Sequence, residues 1–547
     1  MARPGMRRIA FALLAGVLTL GLLALAWRVL AGGGWTAWEA LILAGLAANA
    51  PWLGLSAATG LIGLAVRLLA RDPAAAVLPA LRHRRDLEAS PIGTRTLLAV
   101  CVRLEDMTTV LPPLARLLRD LDGADEGRFA LGILSDTPDG RAADAEAQAV
   151  AAMATRLPEG AVLHRRRGTN TGFKAGNLMD FLDRHAEGFD FALVLDADST
   201  MDAAAVRRLV RVMQADPGLA ILQPTVAGCG AETCFARLFG FGHRHGARLW
   251  ATGQAWWQGP EGPYWGHNAL LRIEAFRRDA RLPLLPDGSH ILSHDHAEAA
   301  LLHAAGWAVR VLPEDTGSFE RHPPDLLALF SRDLRWAAGN LQYRHLLRRP
   351  EFGALGRFQM LQAILHYALA PLWFALLPLA ALNVLTGGAD QTPRGALVAL
   401  LLAGFAALNM PKLAGYAELL LRPGPARRAE LLRRMGQELV LGVLLDPVAA
   451  MERTLTMLRL TRARWGGWAP QHRAARTITW PSATRRFGLH MAAGLVMASC
   501  FAAGGSFALL AALPMIAGLL LAAPLAVVTA RPEAFAGAGR MAGADAP

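Results

Sequence analysis

Long, mostly apolar stretches mark both ends of the chain, and alternating polar and apolar positions fill its middle. A helix needs roughly 18 consecutive apolar residues to cross a bilayer. The stretches that reach or approach this length are residues 9–27, 40–66, 359–384, 396–421, 487–503 and 507–529. The pattern therefore predicts about six transmembrane helices, two before and four after the polar middle.

The charges beside these stretches predict their orientation in the membrane. Arginines flank the first two stretches at Arg3, Arg7, Arg8, Arg67 and Arg71. Because basic flanks stay in the cytoplasm, we expect an uncleaved signal anchor, both termini inside, and only a short turn at residues 32–34 outside. The polar middle would then face the cytoplasm.

One further apolar run, residues 437–460, has a mixed pattern. Asp446-Pro447 interrupts it, and the Arg-rich loop at residues 462–486 favours the cytoplasm. We therefore predict a re-entrant or interfacial helix there instead of another full span. The predicted organisation is residues 1–71 (two spans), 72–357 (cytoplasmic domain), 358–421 (two spans), 422–486 (cytoplasmic or interfacial region), 487–530 (two spans) and 531–547 (disordered tail).

The polar middle alternates strand-like and helix-like patterns. The strand-like runs are residues 97–102, 129–134, 161–164, 191–195 and 220–223. The helical patterns are residues 109–121, 142–155, 176–184, 203–215 and 297–305. Strands that alternate with helices predict a parallel α/β sheet with helices on both faces. Ligands of such sheets bind beyond the carboxyl ends of the strands.

Composition excludes several classes of protein. The 547 residues are 53% hydrophobic and 18% charged, which excludes a disordered chain. Four cysteines are too few for a disulfide scaffold, and Cys229 and Cys234 are expected to be free thiols. The 56 basic and 44 acidic residues give a net charge of +12. Because many arginines flank spans, where they meet anionic lipid headgroups, nucleic-acid binding is disfavoured.

Carboxylates follow the predicted strands. Asp136 follows the second strand, Asp196 and Asp198 follow the fourth, and Asp295 precedes a helix. Two aspartates one residue apart can hold a hard divalent cation whose other ligands are phosphates and water. Any one of these residues has an ordinary explanation, because aspartate commonly ends strands and caps helices. Their combination beside Lys174, without a P-loop or dinucleotide fingerprint, favours one common site.

With these residues the sequence resembles membrane-integrated processive glycosyltransferases of family 2. More closely, it resembles the glucans biosynthesis glucosyltransferase H family, which makes osmoregulated periplasmic glucans. The segments that carry the resemblance are Lys174-Ala175-Gly176-Asn177, Tyr264-Trp265-Gly266-His267-Asn268-Ala269, Ile291-Leu292-Ser293-His294-Asp295, Arg332-Asp333-Leu334-Arg335-Trp336, Gly339-Asn340-Leu341, Ala370-Pro371-Leu372-Trp373-Phe374, Pro411-Lys412-Leu413, and Trp468 with Pro470-Gln471. The sequence departs from the family at Leu104, where the family has Asn. The resemblance implies an α/β GT-A-type glycosyltransferase domain inserted between α-helical transmembrane segments of a bacterial inner membrane.

The resemblance also implies how the donor is bound. UDP-glucose would be the donor, with Asp136 contacting its uridine. Lys174 and Arg335 would pair with phosphate oxygens, and Arg can do so as a bidentate fork. Asp198, with Asp196 beside it, would hold Mg²⁺ or Mn²⁺ against the diphosphate.

Asp295 is the candidate general base of the reaction. With one base and no protein nucleophile, displacement is direct and inverts the anomeric carbon, so an α-linked donor gives a β-linked product. The resemblance implies that the product is a β-1,2-linked glucan. It also implies Trp336 as an aromatic platform for the acceptor sugar, and Trp265, His267 and Asn268 along the acceptor side.

The expected partners follow from the same resemblance. They are UDP-glucose and the growing glucan, membrane lipids, acyl carrier protein, and periplasmic glucan-processing proteins. Processive synthesis and export of the product are expected, because the catalytic domain lies between two groups of spans and can feed its product into a channel.

Other interpretations stay open. Trp265 and Trp336 can be core or membrane-interface aromatics. Three histidines near Asp295 can suggest zinc, but no Cys or carboxylate arrangement supports such a site. Glu298 is expected on the exposed side of its helix, with orientation of Asp295 as the alternative. The rival functions are a related family 2 membrane synthase with another linkage or sugar, and a catalytically decayed transporter or signalling protein.

Overall fold

The computed structural model describes residues 4–422, 428–462 and 475–531. Ten β-strands lie in these residues. In chain order they are β1 (Thr96–Val102), β2 (Phe129–Ser135), β3 (Val162–Arg166), β4 (Phe191–Asp196), β5 (Ser199–Met201), β6 (Leu219–Pro224), β7 (Ala227–Cys229), β8 (Ala269–Arg272), β9 (Ala308–Leu312) and β10 (Ser318–Arg321).

Seven strands form one sheet in the order β3-β2-β1-β4-β8-β6-β9. β8 runs antiparallel to its neighbours β4 and β6, whereas the other neighbouring pairs are parallel. A second sheet of three strands has the order β5-β10-β7. The predicted α/β domain is confirmed, but the antiparallel strand and the second sheet were not predicted. Each of these strands has only three or four residues, and so short a run shows no hydrophobic period.

The central strands are apolar throughout because both faces of the sheet are covered. In β1, Leu98 and Val100 pack into a core cluster with helices on one face, and Leu97 and Ala99 pack into a second cluster on the other. All seven residues of β2 are buried. Parallel strands that are buried on both faces have continuous apolar sequences, so these strands could be predicted from the sequence.

Nineteen α-helices surround and extend this sheet in the described residues. They are α1 (Pro4–Leu30), α2 (Ala37–Leu69), α3 (Pro73–Val77), α4 (Arg84–Ala89), α5 (Met107–Asp122), α6 (Arg141–Ala154), α7 (Phe173–His185), α8 (Ala203–Ala215), α9 (Cys234–Gln258), α10 (Ile273–Asp279), α11 (Asp295–Ala304), α12 (Leu326–Gln342), α13 (Ala354–Ala368), α14 (Ala370–Leu385), α15 (Arg394–Leu421), α16 (Arg428–Arg462), α17 (Trp480–Ala503), α18 (Ser506–Leu520) and α19 (Ala522–Thr529).

Several helices are long and apolar enough to cross a membrane. Five such spans are α1, α2, the consecutive pair α13–α14, α15 and α17. The pair α18–α19, bent by 56°, makes a sixth if it is counted as one span. Five of the six predicted apolar segments thus lie in helices of membrane-spanning length and composition, and the sixth, residues 507–529, lies in the bent pair. These helices are those of a membrane protein by length and composition.

The ambiguous segment at residues 437–460 lies in α16, a continuous helix of 35 residues with Pro447 inside it. α16 is not among the helices that pass the length and composition test. The structure has one unbroken helix there, without a re-entrant turn, and its interfacial position stays a prediction, as do the orientation and the domain limits. Residues 532–547 of the predicted tail, and Trp468, Pro470 and Gln471, lie outside the described residues.

Helix α9 joins the α/β domain to the long apolar helices. It packs closely on α2 at Gly253, which has no side chain. A Cβ added at Gly253 would lie only 2.9 Å from the carbonyl carbon of Thr59. Glu418 of α15 accepts from Arg248 of α9 at 2.9 Å and from Arg67 of α2 at 2.6 Å. Close backbone contact and a shared carboxylate therefore fix the domain on its membrane helices.

Candidate active site

Strand register brings the predicted carboxylates to one edge of the sheet. Asp196 is the last residue of β4 and lies opposite Cys101 of β1. Ser135, opposite Val102, ends β2, and Asp136 follows it directly. Because β1, β2 and β4 are parallel neighbours, their carboxyl ends meet at the same edge, where ligands of such sheets bind.

Lys174, at the start of α7, reaches across this edge. Its ammonium group forms an ion pair with Asp196 Oδ1 and donates to the carbonyl oxygen of Gly266 at 2.7 Å. Burial alone would lower the pKa of Lys174, but the charges of Asp196 and Asp295 outweigh it and raise the pKa. Lys174 therefore stays a cation and holds three separate segments together.

Gly266 brings the loop at residues 264–268 against Asp295. Its φ of +85° lies in the region that favours glycine, and a Cβ there would lie 3.6 Å from both Asp295 Cβ and His294 Cε1. Asp295 is the first residue of α11, and Tyr343 donates its hydroxyl to Asp295 Oδ1 at 3.2 Å. Asp196, Lys174 and Asp295 thus meet around one glycine.

Asp136 is nearly buried and is paired with Arg167, a residue the sequence did not single out. The Arg167 guanidinium donates from Nε to Oδ1 at 2.5 Å and from Nη2 to Oδ2 at 2.9 Å. It also donates to the backbone oxygens of Thr171 and Phe173, which orders the loop before α7. The one sequence signal was its place directly after β3, at the same edge as Asp136.

Asp198 lies in the tight turn between β4 and β5, next to the small second sheet. Glu320 of β10 is paired with Ser199 of β5 in that sheet. Burial raises the pKa of Glu320; His267 opposes this shift and Asp198 adds to it. Glu320 was not predicted, since four-residue β10 gives no signal, yet it adds a carboxylate beside Asp198.

These carboxylates do not form a preformed metal cage. In the part of the chain that the structure describes, no group of three or more His, Cys, Asp or Glu side chains is arranged to hold a metal ion. Asp196 and Asp198 fit instead an ion that takes its remaining ligands from a substrate diphosphate and water, as Mg²⁺ commonly does.

Helix α12 carries the predicted Arg335-Trp336 pair. The Trp336 side chain is 44% exposed, and the guanidinium carbon of Arg332 lies 4.5 Å from its ring centroid. Arg335, by contrast, is only 9% exposed. An exposed indole held by a cation on one face can offer the other face to a sugar ring.

The remaining acceptor-side candidates are largely enclosed. Trp265 packs against a cluster that includes Ala251 and Val311. Asn268 is fully buried, and its amide donates to Ser318 Oγ at 3.0 Å and to the Phe319 carbonyl oxygen at 3.3 Å. His267 lies 3.8 Å from Glu320. Asn268 therefore anchors β10 beneath the site, and its place along the acceptor side stays a prediction.

The histidine and carboxylate beside Asp295 form a buried pair. His294 Nδ1 lies 2.6 Å from Glu298 Oε2. Burial lowers the pKa of His294, but Glu298 outweighs it and raises the pKa. The expectation that Glu298 lies on an exposed helix side was wrong: it is 1% exposed, because it is held under the site by His294.

The sheet order, the carboxylates at its edge and the flanking membrane helices define a membrane-integrated glycosyltransferase of family 2. The model of the family described as Glycosyl transferase family group 2 matches residues 191–410. This match covers β4, Asp295 and the Arg335-Trp336 pair, and it confirms the GT-A-type α/β fold class.

Curated relatives narrow the assignment. A glucans biosynthesis glucosyltransferase H from Caulobacter vibrioides is 33% identical over 548 residues, covering 94% of this chain and 81% of that protein. Its counterpart from Xanthomonas campestris pv. campestris is 33% identical over 564 residues, with 96% and 84% covered. The chain belongs to the glucans biosynthesis glucosyltransferase H family.

A solved structure is similar at a lower level. The mannosyltransferase PcManGT from Pyrobaculum calidifontis, in complex with GDP-Man and Mn²⁺, is 15% identical, with a TM-score of 0.42. The likeness covers 67% of this chain and all of that one.

Proposed function

We propose that this protein transfers glucose from UDP-glucose to a growing glucan, with inversion, and builds a β-1,2-linked backbone. The observation that carries the proposal is the meeting of Asp196, Lys174 and Asp295 around Gly266. Family membership supports a glucosyl transfer, and this cluster supplies a cation for a leaving diphosphate next to a carboxylate for an acceptor hydroxyl.

The donor would lie along the carboxyl ends of β1, β2 and β4. Asp136, oriented by Arg167, would contact the uridine. Lys174 is a permanent cation at the start of α7, so it can exchange part of its contact with Asp196 for a phosphate oxygen as the donor binds. Arg335 would contribute a second cation to the diphosphate.

Asp196 and Asp198 would hold the divalent ion, Mg²⁺ or Mn²⁺, against the diphosphate. When bound, the ion neutralises the negative charge that develops on the leaving UDP. Because the described residues form no preformed metal cage, binding of the ion would depend on the nucleotide. We therefore expect tighter ion binding in the presence of UDP than in its absence.

Asp295 would remove the proton from the acceptor hydroxyl. As the O–H bond breaks, that oxygen forms a bond to the anomeric carbon, the bond from the anomeric carbon to the UDP oxygen breaks, and UDP leaves with the electron pair. Attack and departure on opposite faces invert the anomeric centre, so an α-linked donor gives a β-linkage. Trp336 would hold the acceptor ring in place for this attack.

The membrane helices would export the product. A cytoplasmic catalytic domain fixed on the spans by α9 can pass a glucan chain directly from Trp336 towards the membrane interior. The proposed setting is the bacterial inner membrane with both termini in the cytoplasm, and with the domain limits predicted from the sequence. Acyl carrier protein and periplasmic glucan-processing proteins are the proposed partners.

The test is a donor panel followed by linkage analysis. Membranes that contain the protein are given UDP-glucose, UDP-galactose, UDP-N-acetylglucosamine or GDP-mannose with Mg²⁺ or Mn²⁺, and polymer is measured. We expect polymer only from UDP-glucose, with 1,2-linkages. Polymer with another linkage or sugar would indicate a related family 2 membrane synthase. No polymer from any donor would favour the catalytically decayed alternative.

A further inference from the structure

Tyr343 lies directly behind the proposed base. It follows the last residue of α12, its side chain is 0% exposed, and its hydroxyl donates to Asp295 Oδ1 at 3.2 Å. Its ring packs in a core cluster with Ile291, Ala297 and Phe352. A rigid, buried ring thus presents one hydroxyl to one carboxylate oxygen.

The same end of α12 contacts the residues just before Asp295. Gln342 Oε1 accepts from the backbone nitrogen of Leu292 at 2.8 Å. Gly339 lies against Ser293, since a Cβ there would lie 2.9 Å from the Ser293 backbone nitrogen. The helix that carries Trp336 therefore also holds the segment that carries the base.

The Tyr343 hydroxyl can act only as a donor to Asp295. Burial, together with the nearby charge of Asp295, raises the pKa of Tyr343 well above its ordinary value. The hydroxyl therefore keeps its proton throughout the working pH range. A neutral donor stabilises a carboxylate in its charged form and fixes its plane.

We propose that Tyr343 is a positioning residue that holds Asp295 as an oriented carboxylate, with Oδ2 turned to the acceptor hydroxyl. The inference rests on the proposed role of Asp295 as the base. It also links the two groups that act on the acceptor, because α12 carries the platform residue Trp336 and is followed directly by Tyr343, which holds the base. Acceptor orientation and base orientation would then change together.

The test is the pH profile of transfer by Tyr343→Phe, which keeps the buried ring and removes only the hydroxyl. We expect kcat to fall roughly 10- to 100-fold, the range for a lost hydrogen bond to a charged group, while KM for the nucleotide sugar changes less than about twofold. Without the donor, the protonated carboxyl is favoured, so the acid limb of the profile should move to higher pH.

Two further variants separate electrostatics from packing. Tyr416→Phe removes an equivalent tyrosine-to-carboxylate hydrogen bond, 2.5 Å to Glu438 between α15 and α16, and should keep the parent acid limb. Gln342→Leu removes the acceptor for Leu292 N–H without touching Asp295, and should lower kcat with no shift of the acid limb.

The outcomes distinguish this inference from the proposed function. The profile is measured with whichever sugar nucleotide of the panel supports Asp295-dependent transfer, so a donor other than UDP-glucose would overturn only the donor assignment. An acid limb that stays in place in Tyr343→Phe would overturn the role of Tyr343 alone, even if kcat falls. Full transfer by Asp295→Asn would overturn both.

Discussion

At the scale of single residues, the proposed base is surrounded by groups that keep fixed charges. Lys174 remains a cation because of the carboxylates beside it, and Tyr343 remains a neutral donor. Under them, His294 and Glu298 form a buried pair. Glu298 raises the pKa of His294 against the effect of burial.

The His294–Glu298 pair predicts a pH-dependent stability. Because the pKa of His294 is raised on folding, its contribution is fully present below about pH 6.5 and is lost as pH rises through the raised value. Glu298→Gln should therefore destabilise the protein most at about pH 6 and progressively less at higher pH. Thermal unfolding in detergent across this range measures the difference from the parent. A difference that does not change with pH would contradict the account.

Leu104, where the family has Asn, has a left-handed backbone conformation. Its φ is +57°, in the left-handed region, where Asn is tolerated and Leu is strained. The side chain is 46% exposed, so little packing is lost on replacement. Leu104→Asn should stabilise the fold by about 1 kcal/mol. Leu284→Asn, at an exposed leucine without positive φ, is the control and should give no such gain.

Which site residues could be found from sequence depends on where they lie in their elements. Asp136, Asp196 and Lys174 could be predicted because each stands at the end of a strand or the start of a helix with a clear pattern. Arg167 and Tyr343 could not, because their partners come from tertiary structure. Tyr343 lies 48 residues from the carboxylate it contacts. Asn268 was placed in the right loop, but its burial under β10 depends on a sheet that the sequence did not reveal.

At the scale of elements, α12 connects the residues proposed to bind the substrates with the segment before the base. It carries Arg335 and Trp336, and near its end it contacts Leu292 and Ser293. Tyr343, which follows its last residue, contacts Asp295. The close approach of α12 to Ser293 is possible because residue 339 is glycine. The motif Gly339-Asn340-Leu341 was recognised by resemblance alone, and the structure supplies the physical reason for its glycine.

Gly339→Ala should impair transfer although alanine is the better helix former. The gain in helix propensity is about 1 kcal/mol, whereas a methyl group forced against Ser293 costs about 1–3 kcal/mol and displaces the segment before Asp295. We expect lower kcat and lower thermal stability. Gly436→Ala in α16, where nothing lies within 4 Å, should keep activity and gain stability. Equal behaviour of the two variants would contradict this view of α12.

At the scale of the whole molecule, the catalytic domain and the spans are joined through α9. The six apolar segments could be predicted from their length. Their contacts with the sheet could not, because an apolar sequence does not specify which surface it packs against. Glu418 is 4% exposed and lies between Arg67 of α2 and Arg248 of α9. This carboxylate pairs with two cations from separate parts of the chain.

Glu418→Gln should loosen the domain from its membrane helices. Removing one partner of a buried ionic group leaves the others uncompensated, at a cost on the order of 3–5 kcal/mol. We expect a lower thermal midpoint and faster cleavage by protease near α9. Glu430→Gln, which removes pairs with Arg433 and Arg434 on a more exposed surface, should cost no more than about 1 kcal/mol. Comparable losses in the two variants would argue against a special role for Glu418.

The role of Asp295 as the base is measured by the rate at which membranes containing Asp295→Asn incorporate labelled glucose from UDP-glucose into polymer. Asp287→Asn is the matched control, since Asp287 is an exposed loop aspartate whose carboxylate accepts from Ser289. If Asp295 is the general base, its variant should lose at least about 100-fold in rate while still binding UDP-glucose, and the control should match the parent. A parent-like rate in Asp295→Asn would contradict the account.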